Sequence, residues 1–307
     1  MLTVVQSPRR CTVREGLGAS AHLRQGRELF VPELYVGQST VVLVLAGRKT
    51  VFGQGELWRC DEGGLILLPH GASYGVTNQL NGDAPYEAIS LMFDDSLIAA
   101  SAEAATAMGA GPSAASAASD ESRAAPAVAA APGMSGASAF APLVAPRVLA
   151  APAAGLRQAV ERVRALWMEP HTPDQIARHA AQEVLVWLAL QGSRFAPATQ
   201  PSFLARLRAL LAAAPAQPWN AASAAIALNV SEATLRRRLA RDGHSMSGLL
   251  LEVRLSQAMM LLQATDDYVG QIALDCGFAN HAHFSRMFKG RFGITPTQLR
   301  DPEHAVA

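Results

Sequence analysis

Cysteine is scarce in this chain of 307 residues: Cys11, Cys60 and Cys276 stand far apart, with no C-x-x-C pair. That spacing excludes a disulfide framework and a thiolate zinc site, and it fits free thiols in a reducing compartment. Histidine is absent between Leu29 and Pro69, so the first half lacks the imidazoles that three-ligand metal chemistry needs. Aromatic residues make up 6 % and charged residues 17 % of the chain. The 50 % apolar content therefore overstates the core, because much of it is alanine, which buries little area. No run approaches the ~20 strongly apolar residues of a membrane span. The start, Met1 to Arg10, lacks the sections of a signal peptide. These absences predict a cytoplasmic protein without a membrane partner, and the length suits two domains.

Charge of one sign is missing overall, with 26 basic and 25 acidic residues and a net of +1. That excludes a uniformly basic coat or an acidic tail. The halves differ, however. Residues 1–200 carry 15 basic and 17 acidic side chains, whereas residues 201–307 carry 11 and 8. Two clusters stand out in the second half: Arg236, Arg237, Arg238 and Arg241, then Arg286, Lys289 and Arg291.

What is present divides the chain. Short β-branched or apolar runs lie in the first hundred residues: Val41 to Leu45, Val51-Phe52, Leu57 to Cys60, Leu65 to Leu68 and Tyr86 to Phe93. Turns at Gly47-Arg48-Lys49, Gly53-Gln54-Gly55 and Asp61 to Gly64 separate them, a pattern of a small sandwich or barrel over 1–98. Residues 99–155 hold 25 Ala, 7 Ser, 5 Gly and 6 Pro. Residues 99–142 are accordingly read as a disordered insertion or linker. The last part of that stretch, Leu143-Val144 and Val148-Leu149, is expected to rejoin the fold as a strand. Within 143–196, Leu156, Val160, Val163 and Trp167, then Ile176, Ala180, Val184, Trp187 and Leu188, recur at helical spacing. Those two helices are the expected dimer surface or core. From 199 to 307 only helices are predicted, over 202–213, 220–228, 231–241, 246–264, 268–276, 280–291 and 296–300.

Two helix-turn-helix units emerge there. In the first, Asn229 supplies a left-handed turn and Ser231 an N-cap. Leu235 and Leu239, four apart, point inward, which leaves Ala233, Arg236 and Arg237 outward. Guanidinium groups on such a helix suit guanine in a major groove. In the second, Gly277 makes the turn and Phe278 plugs the core. Asn280 caps a helix whose Phe284 and Phe288 face inward, while His281, Ala282, Ser285 and Arg286 face out. Lys289 and Arg291 lie where phosphate contacts belong, as do Ser231, Thr234 and Asn280 at the helix starts. The helix predicted between the units, 19 residues and thus ~28 Å long, is comparable to the ~34 Å between successive grooves on one DNA face.

Ile272-Ala273, Cys276-Gly277-Phe278, Phe284 to Lys289, Phe292 to Pro296 and Arg300 closely resemble the C-terminal signature of AraC/XylS-type transcription regulators. Val230-Ser231 with Leu235, Arg237 and Leu239 resembles that family's other helix-turn-helix. The resemblance covers about residues 202–300 and implies a sequence-specific factor on double-stranded promoter DNA, usually an activator that contacts RNA polymerase, in a bacterium. By position, Ala233, Arg236, Arg237, His281, Ala282 and Arg286 match the family's base-reading places. Two departures matter. Leu299 replaces the usual aromatic, and the short Ala233 and Ala282 limit reading to methyl contact.

In the first half, Gly63-x5-Pro69-x-Gly71-x2-Tyr74-x3-Asn78 resembles the second motif of cupin barrels, with Tyr74 where a metal-binding histidine is usual. The upstream ligands have no counterpart and His70 stands alone, so neither metal nor cofactor is expected. The fold class expected is α+β: a cupin-like barrel or sandwich, then an all-α domain with two helix-turn-helix units. Such a barrel suits a small-molecule effector, with Trp58 and Tyr74 as pocket candidates, or a regulatory protein. A metal-cupin enzyme is disfavoured by the missing histidines, and an alkyl-transfer repair sensor by the scattered cysteines. The chain is therefore not expected to be an enzyme.

Overall fold

The computed structural model describes residues 10–109, 142–197 and 201–300. Nine strands come first: β1 (Cys11–Arg14), β2 (Gly18–Gln25), β3 (Leu29–Val36), β4 (Ser39–Ala46), β5 (Arg48–Gly53), β6 (Glu56–Asp61), β7 (Leu65–Leu68), β8 (Ala72–Gln79) and β9 (Tyr86–Phe93). Then follow α1 (Asp95–Gly109), β10 (Arg147–Leu149), α2 (Ala154–Met168) and α3 (Asp174–Leu190). The rest is helical: α4 (Phe203–Ala213), α5 (Ala221–Ala227), α6 (Glu232–Arg241), α7 (Met246–Ala264), α8 (Val269–Asp275), α9 (His281–Phe292) and α10 (Pro296–Arg300). The class is α+β, as the sequence predicts.

The strands form two antiparallel sheets, ordered β1-β2-β9-β4-β7-β10 and β3-β8-β5-β6. Val42, Val44, Ile66 and Leu68 of the first sheet meet Val51, Tyr74 and Val76 of the second in one core. The alternate residues Val41, Leu43, Leu65 and Leu67 face the other way and pack under α2 and α3. Both faces of β4 and β7 are thus covered, which is why their sequences are unbroken apolar runs rather than alternating ones. Five expected runs lie in β4, β5, β6, β7 and β9. Strands β1, β2, β3 and β8 had no such signal.

Three expectations change. Residues 99–109 belong to α1, not to a linker: Leu97 and Ile98 are buried and anchor a helix that the alanines after them favour. The remainder of the expected linker, 110–141, lies outside the described residues. The turn at Gly47 ends there, with φ of 80°, and Arg48 and Lys49 already belong to β5. Val148-Leu149 is the strand that rejoins the sheet, pairing with Leu65 and Ile66, whereas Leu143-Val144 is outside it.

The stripes of α2 and α3 are core. Leu156, Val160, Val163 and Trp167 pack with Ala177, Ala180, Ala181, Val184 and Leu188, while Ile176 turns outward and is 50 % exposed. Arg14 of β1 satisfies the orphan carbonyls at the end of α2, donating to Leu166 at 3.2 Å, Trp167 at 3.3 Å and Glu169 at 2.7 Å, as cationic side chains do at helix C-termini. In the helical module, α7 carries two cores. Leu249 and Val253 pack with Leu207, Leu211, Leu235 and Leu239. Leu255, Ala258, Met259 and Leu262 pack with Ile272, Phe284, Phe288 and Leu299. Leu299 thus fills the place of an aromatic as a packing residue. Among the described residues, no helix is long and apolar enough to cross a membrane.

Trp167 locks the helical layer to the sheet. It is fully buried, its Nε1 donates to the Ala177 carbonyl at 3.1 Å, and its ring meets Phe93 edge-on at 6.3 Å. Trp167→Ala is expected to cost about 3–5 kcal/mol, read as a lowered midpoint in denaturant unfolding. Ile176→Ala, at an exposed site, is expected to change stability by no more than about 0.5 kcal/mol.

Candidate nucleic-acid interface

Each helix-turn-helix is set by local chemistry. Asn220 and Ser223 form a reciprocal capping box at the start of α5, with bonds of 2.9 and 3.0 Å. Asn229 adopts φ of 53°, the left-handed turn that asparagine tolerates. Ser231 then caps α6, its Oγ accepting from the Thr234 amide at 3.2 Å and donating to the Thr234 hydroxyl at 2.9 Å. Both hydroxyls, expected at phosphates, therefore begin as parts of the cap. Leu235 and Leu239 are buried, and Ala233, Arg236 and Arg237 share the exposed face. Arg238 leaves that face and lies over the Phe203 ring at 4.7 Å.

In the second unit, Gly277 has φ of 80°. A Cβ there would stand 2.6 Å from the Pro215 carbonyl oxygen, so the turn needs glycine twice over. Asn280 caps α9 through the amides of Ala282 at 2.8 Å and His283 at 3.2 Å. Phe284, Phe288 and Phe292 form an inward ladder with ring spacings of 5.6 and 4.7 Å. His281, Ala282, Arg286 and Lys289 are exposed and Ser285 is half-buried. Arg286 Nη2 lies 3.2 Å from His283 Nδ1. Arg291 differs from expectation. Its Nη2 contacts the Glu33 carboxylate at 3.3 Å and the Glu33 carbonyl at 3.4 Å, because β3 runs beside the end of α9. A crevice of about 550 Å³ separates the two units, with Trp219, Arg236, Ser245, Arg254, Phe278 and His283 on its walls.

The barrel holds a second polar site that sequence reasoning missed. Lys49 is 4 % exposed and donates to Asn78 Oδ1 at 2.9 Å. Asn78 donates to Gln25 Oε1 at 3.0 Å, and Gln263 of α7 donates to the same oxygen at 2.7 Å. The Lys49 ammonium also sits 5.7 Å above the Tyr86 ring. Among the described residues no carboxylate pairs with Lys49. Burial pulls its pKa down to about 8, the Cys60 sulfur opposing slightly. Among the described residues, the buried phenolic oxygens of Tyr74 and Tyr86 have no hydrogen-bond partner. Of the two pocket candidates, Tyr74 is a core residue and Trp58 is half-buried beside it, edge-on at 6.3 Å. His70 bonds Ser39 through Nδ1 at 3.2 Å. Among the described residues, no group of three or more His, Cys, Asp or Glu could hold a metal ion.

The family model described as the AraC-type transcriptional regulator N-terminus matches residues 22–195, and one described as a helix-turn-helix domain matches residues 224–301. The chain is 38 % identical over 91 residues to the urease operon transcriptional activator of Escherichia coli, covering 30 % of this chain and 31 % of that one. It thus spans about a third of the length of the curated relatives it matches. In fold it resembles an apo variant of ToxT from Vibrio cholerae, with a TM-score of 0.58 at 10 % identity over 95 % of this chain and 97 % of that one. It also resembles wild-type ToxT of that species bound to an unsaturated fatty acid, with a TM-score of 0.53 at 12 % identity over 91 % and 92 %.

The buried ammonium gives a signed pH dependence. Folded Lys49 releases its proton near pH 8, whereas an ordinary lysine holds it to about 10.5. Between those values the unfolded chain binds more protons, so this group's contribution to stability rises with pH. Lys49→Met is therefore expected to be more stable than wild type at pH 7, and that advantage is expected to shrink between pH 8 and 10.5. Paired urea titrations across that range measure it.

Proposed function

The chain belongs to the AraC-type transcriptional regulators, and we propose that it is a promoter-binding activator whose two helix-turn-helix units read adjacent major grooves under control of its N-terminal barrel. The observation that carries this reading is the pair of capped helices α6 and α9. On its outward face α6 presents the exposed guanidinium groups of Arg236 and Arg237 and α9 that of Arg286, and the 19-residue α7 holds them apart. The assigned roles are base reading for Ala233, Arg236, Arg237, His281, Ala282, Ser285 and Arg286. Ser231, Thr234, Asn280 and Lys289 meet phosphates, and Arg291 joins them once Glu33 releases it. In this reading residues 199–307 are the DNA-binding domain, and the barrel with α2 and α3 is the regulatory one. The protein works in the cytoplasm beside its DNA and RNA polymerase, and no catalysis is assigned to it.

Two finer elements belong to the same reading. A second copy docks on α3, where Ile176, Val186 and Leu190 face solvent. The effector is a carboxylic acid whose head group meets Lys49 beside the Tyr86 ring. A buried cation without a carboxylate supports a small acid over a protein partner, as does the fatty acid bound to a structural relative. Oleic acid, used as a probe, is expected to raise the melting temperature of wild type and not of Lys49→Met; at a hundred times its Kd the stabilisation is about 2.7 kcal/mol.

The DNA-reading roles are tested by gel-shift titration on a cognate site and a scrambled one. Arg237→Ala and Arg286→Ala are each expected to weaken specific binding by about 1–3 kcal/mol and to relax preference at one position. Lys289→Ala is expected to weaken both sites alike and to flatten the salt slope by about one. Equal losses on both sites for Arg237→Ala would overturn its assigned role.

A further inference from the structure

The first turn of α6 carries a side chain outside the base-reading set. Glu232 opens the helix and Arg236 lies four residues on, on the same face. Arg236 donates from Nε and Nη2 to a single oxygen, Oε1 of Glu232, at 2.8 and 2.5 Å. Both side chains remain largely open, 42 % exposed for Glu232 and 68 % for Arg236. The pair is therefore fixed in orientation yet available. Of the five guanidinium protons, two are used, which leaves both on Nη1 and one on Nη2. Oε2 of Glu232 keeps its full acceptor capacity. Beside them Ala233 contributes only a methyl group.

A carboxylate facing DNA is otherwise a liability, because it repels phosphates. Its place here is stabilised by the positive end of the α6 dipole. An ion pair this exposed adds little to helix stability, so stability does not account for it. Its donors and acceptor do match one partner. In the major groove, a G·C pair shows the guanine O6 and N7 acceptors beside the cytosine N4 amino donor. We propose that Glu232 and Arg236 read one G·C pair as a unit, with Arg236 donating to guanine and Glu232 accepting from the paired cytosine. Glu232 is then the residue that sets specificity. Opposite thymine, its carboxylate would face the O4 acceptor and a methyl group, and opposite guanine it would face O6. It rejects these two pairs by leaving a charge unpaired, whereas a T·A pair offers adenine N6 to the carboxylate and is disfavoured only because thymine O4 gives Arg236 one acceptor where guanine gives two.

This inference rests on the reading of α6 as a base-contacting helix, and the test separates the two. The full chain is used to select sites from randomised double-stranded DNA, and each position is then varied singly. Wild type is expected to prefer G·C over A·T roughly tenfold or more at one position that also depends on Arg236, as Arg236→Ala reveals. Glu232→Gln is expected to lower that ratio severalfold, because its amide donates to thymine O4 as readily as its carbonyl accepts from cytosine, which leaves only the discrimination that Arg236 makes between guanine and adenine. Glu232→Ala is expected to lose the same part of the preference and to bind scrambled DNA no more weakly than wild type. Circular dichroism melts of each variant check that α6 is intact. If both Glu232 variants shift all sites by one common factor, the carboxylate acts only as a charge and the proposal falls, with the reading of α6 intact. If no position depends on Arg236, the proposal also falls. A wild-type selection without any consensus would overturn the reading of α6 itself.

Discussion

The helical module is organised by one helix that packs on several sides at once. Along α7, buried residues point in every direction: Leu249 and Val253 towards the first helix-turn-helix, Leu255, Met259 and Leu262 towards the second, and Gln263 towards the barrel. The two helix-turn-helix units and the N-terminal domain are therefore held by a single rod, and none of them can rotate about it without exposing apolar surface. That constraint fixes the separation of α6 and α9 far more firmly than any linker would.

The barrel reaches the rod and its neighbours chiefly through β2 and β3. Leu29 and Val31 enter the core of the second unit, Glu33 holds Arg291, and the Arg208 guanidinium lies 4.5 Å from the centre of the Tyr35 ring. Arg208 is itself locked to Glu252 of α7 by a paired bond of 2.7 and 3.1 Å. One strand thus touches both halves of the DNA module. Beneath it, the amide relay from Lys49 through Asn78 and Gln25 ends on Gln263. A change at the barrel interior would have only uncharged amides between it and α7. Amides transmit geometry rather than charge, because each donor bond restricts how the next side chain can turn.

The helical half was legible in the sequence and much of the barrel was not, and the difference is physical. Helix ends are written by single residues. Asn220, Ser231, Ser245 and Asn280 each accept a backbone proton at a helix start, and Asn229 and Gly277 mark the turns. The long helix therefore falls at Met246–Ala264 as predicted, and the other expected helices of the module agree to within a residue. Strands β4 and β7 were legible because both their faces are buried. Strand β2, with Gly18, Ala19, Ser20 and Ala21, buries small residues that carry no pattern. Strand β3 is broken by an irregular register between Val31 and Leu34, around Pro32. Lys49 sits beside Arg48 in what reads as a turn, so nothing in the sequence separates the buried cation from the exposed one. Glu232 carried a signal, its i,i+4 spacing to Arg236, but a charge pair on a helix reads first as solvated surface.

The modest charge of the DNA module is consistent with how its cations are used. It has 11 basic residues against 8 acidic ones, and several of its guanidinium groups already have partners. Arg236 has Glu232, Arg241 has Asp242, Arg291 has Glu33 and Arg208 has Glu252. Non-specific affinity grows with the number of phosphates neutralised, so a surface with few free cations holds random DNA weakly. Discrimination depends on the ratio of specific to non-specific binding, not on either alone. A pre-paired guanidinium lowers the second term everywhere, yet it loses nothing at a base pair whose edge matches both partners. Near-neutrality, which excludes a uniformly basic coat, would then sharpen the proposed recognition by two short helices with few long side chains.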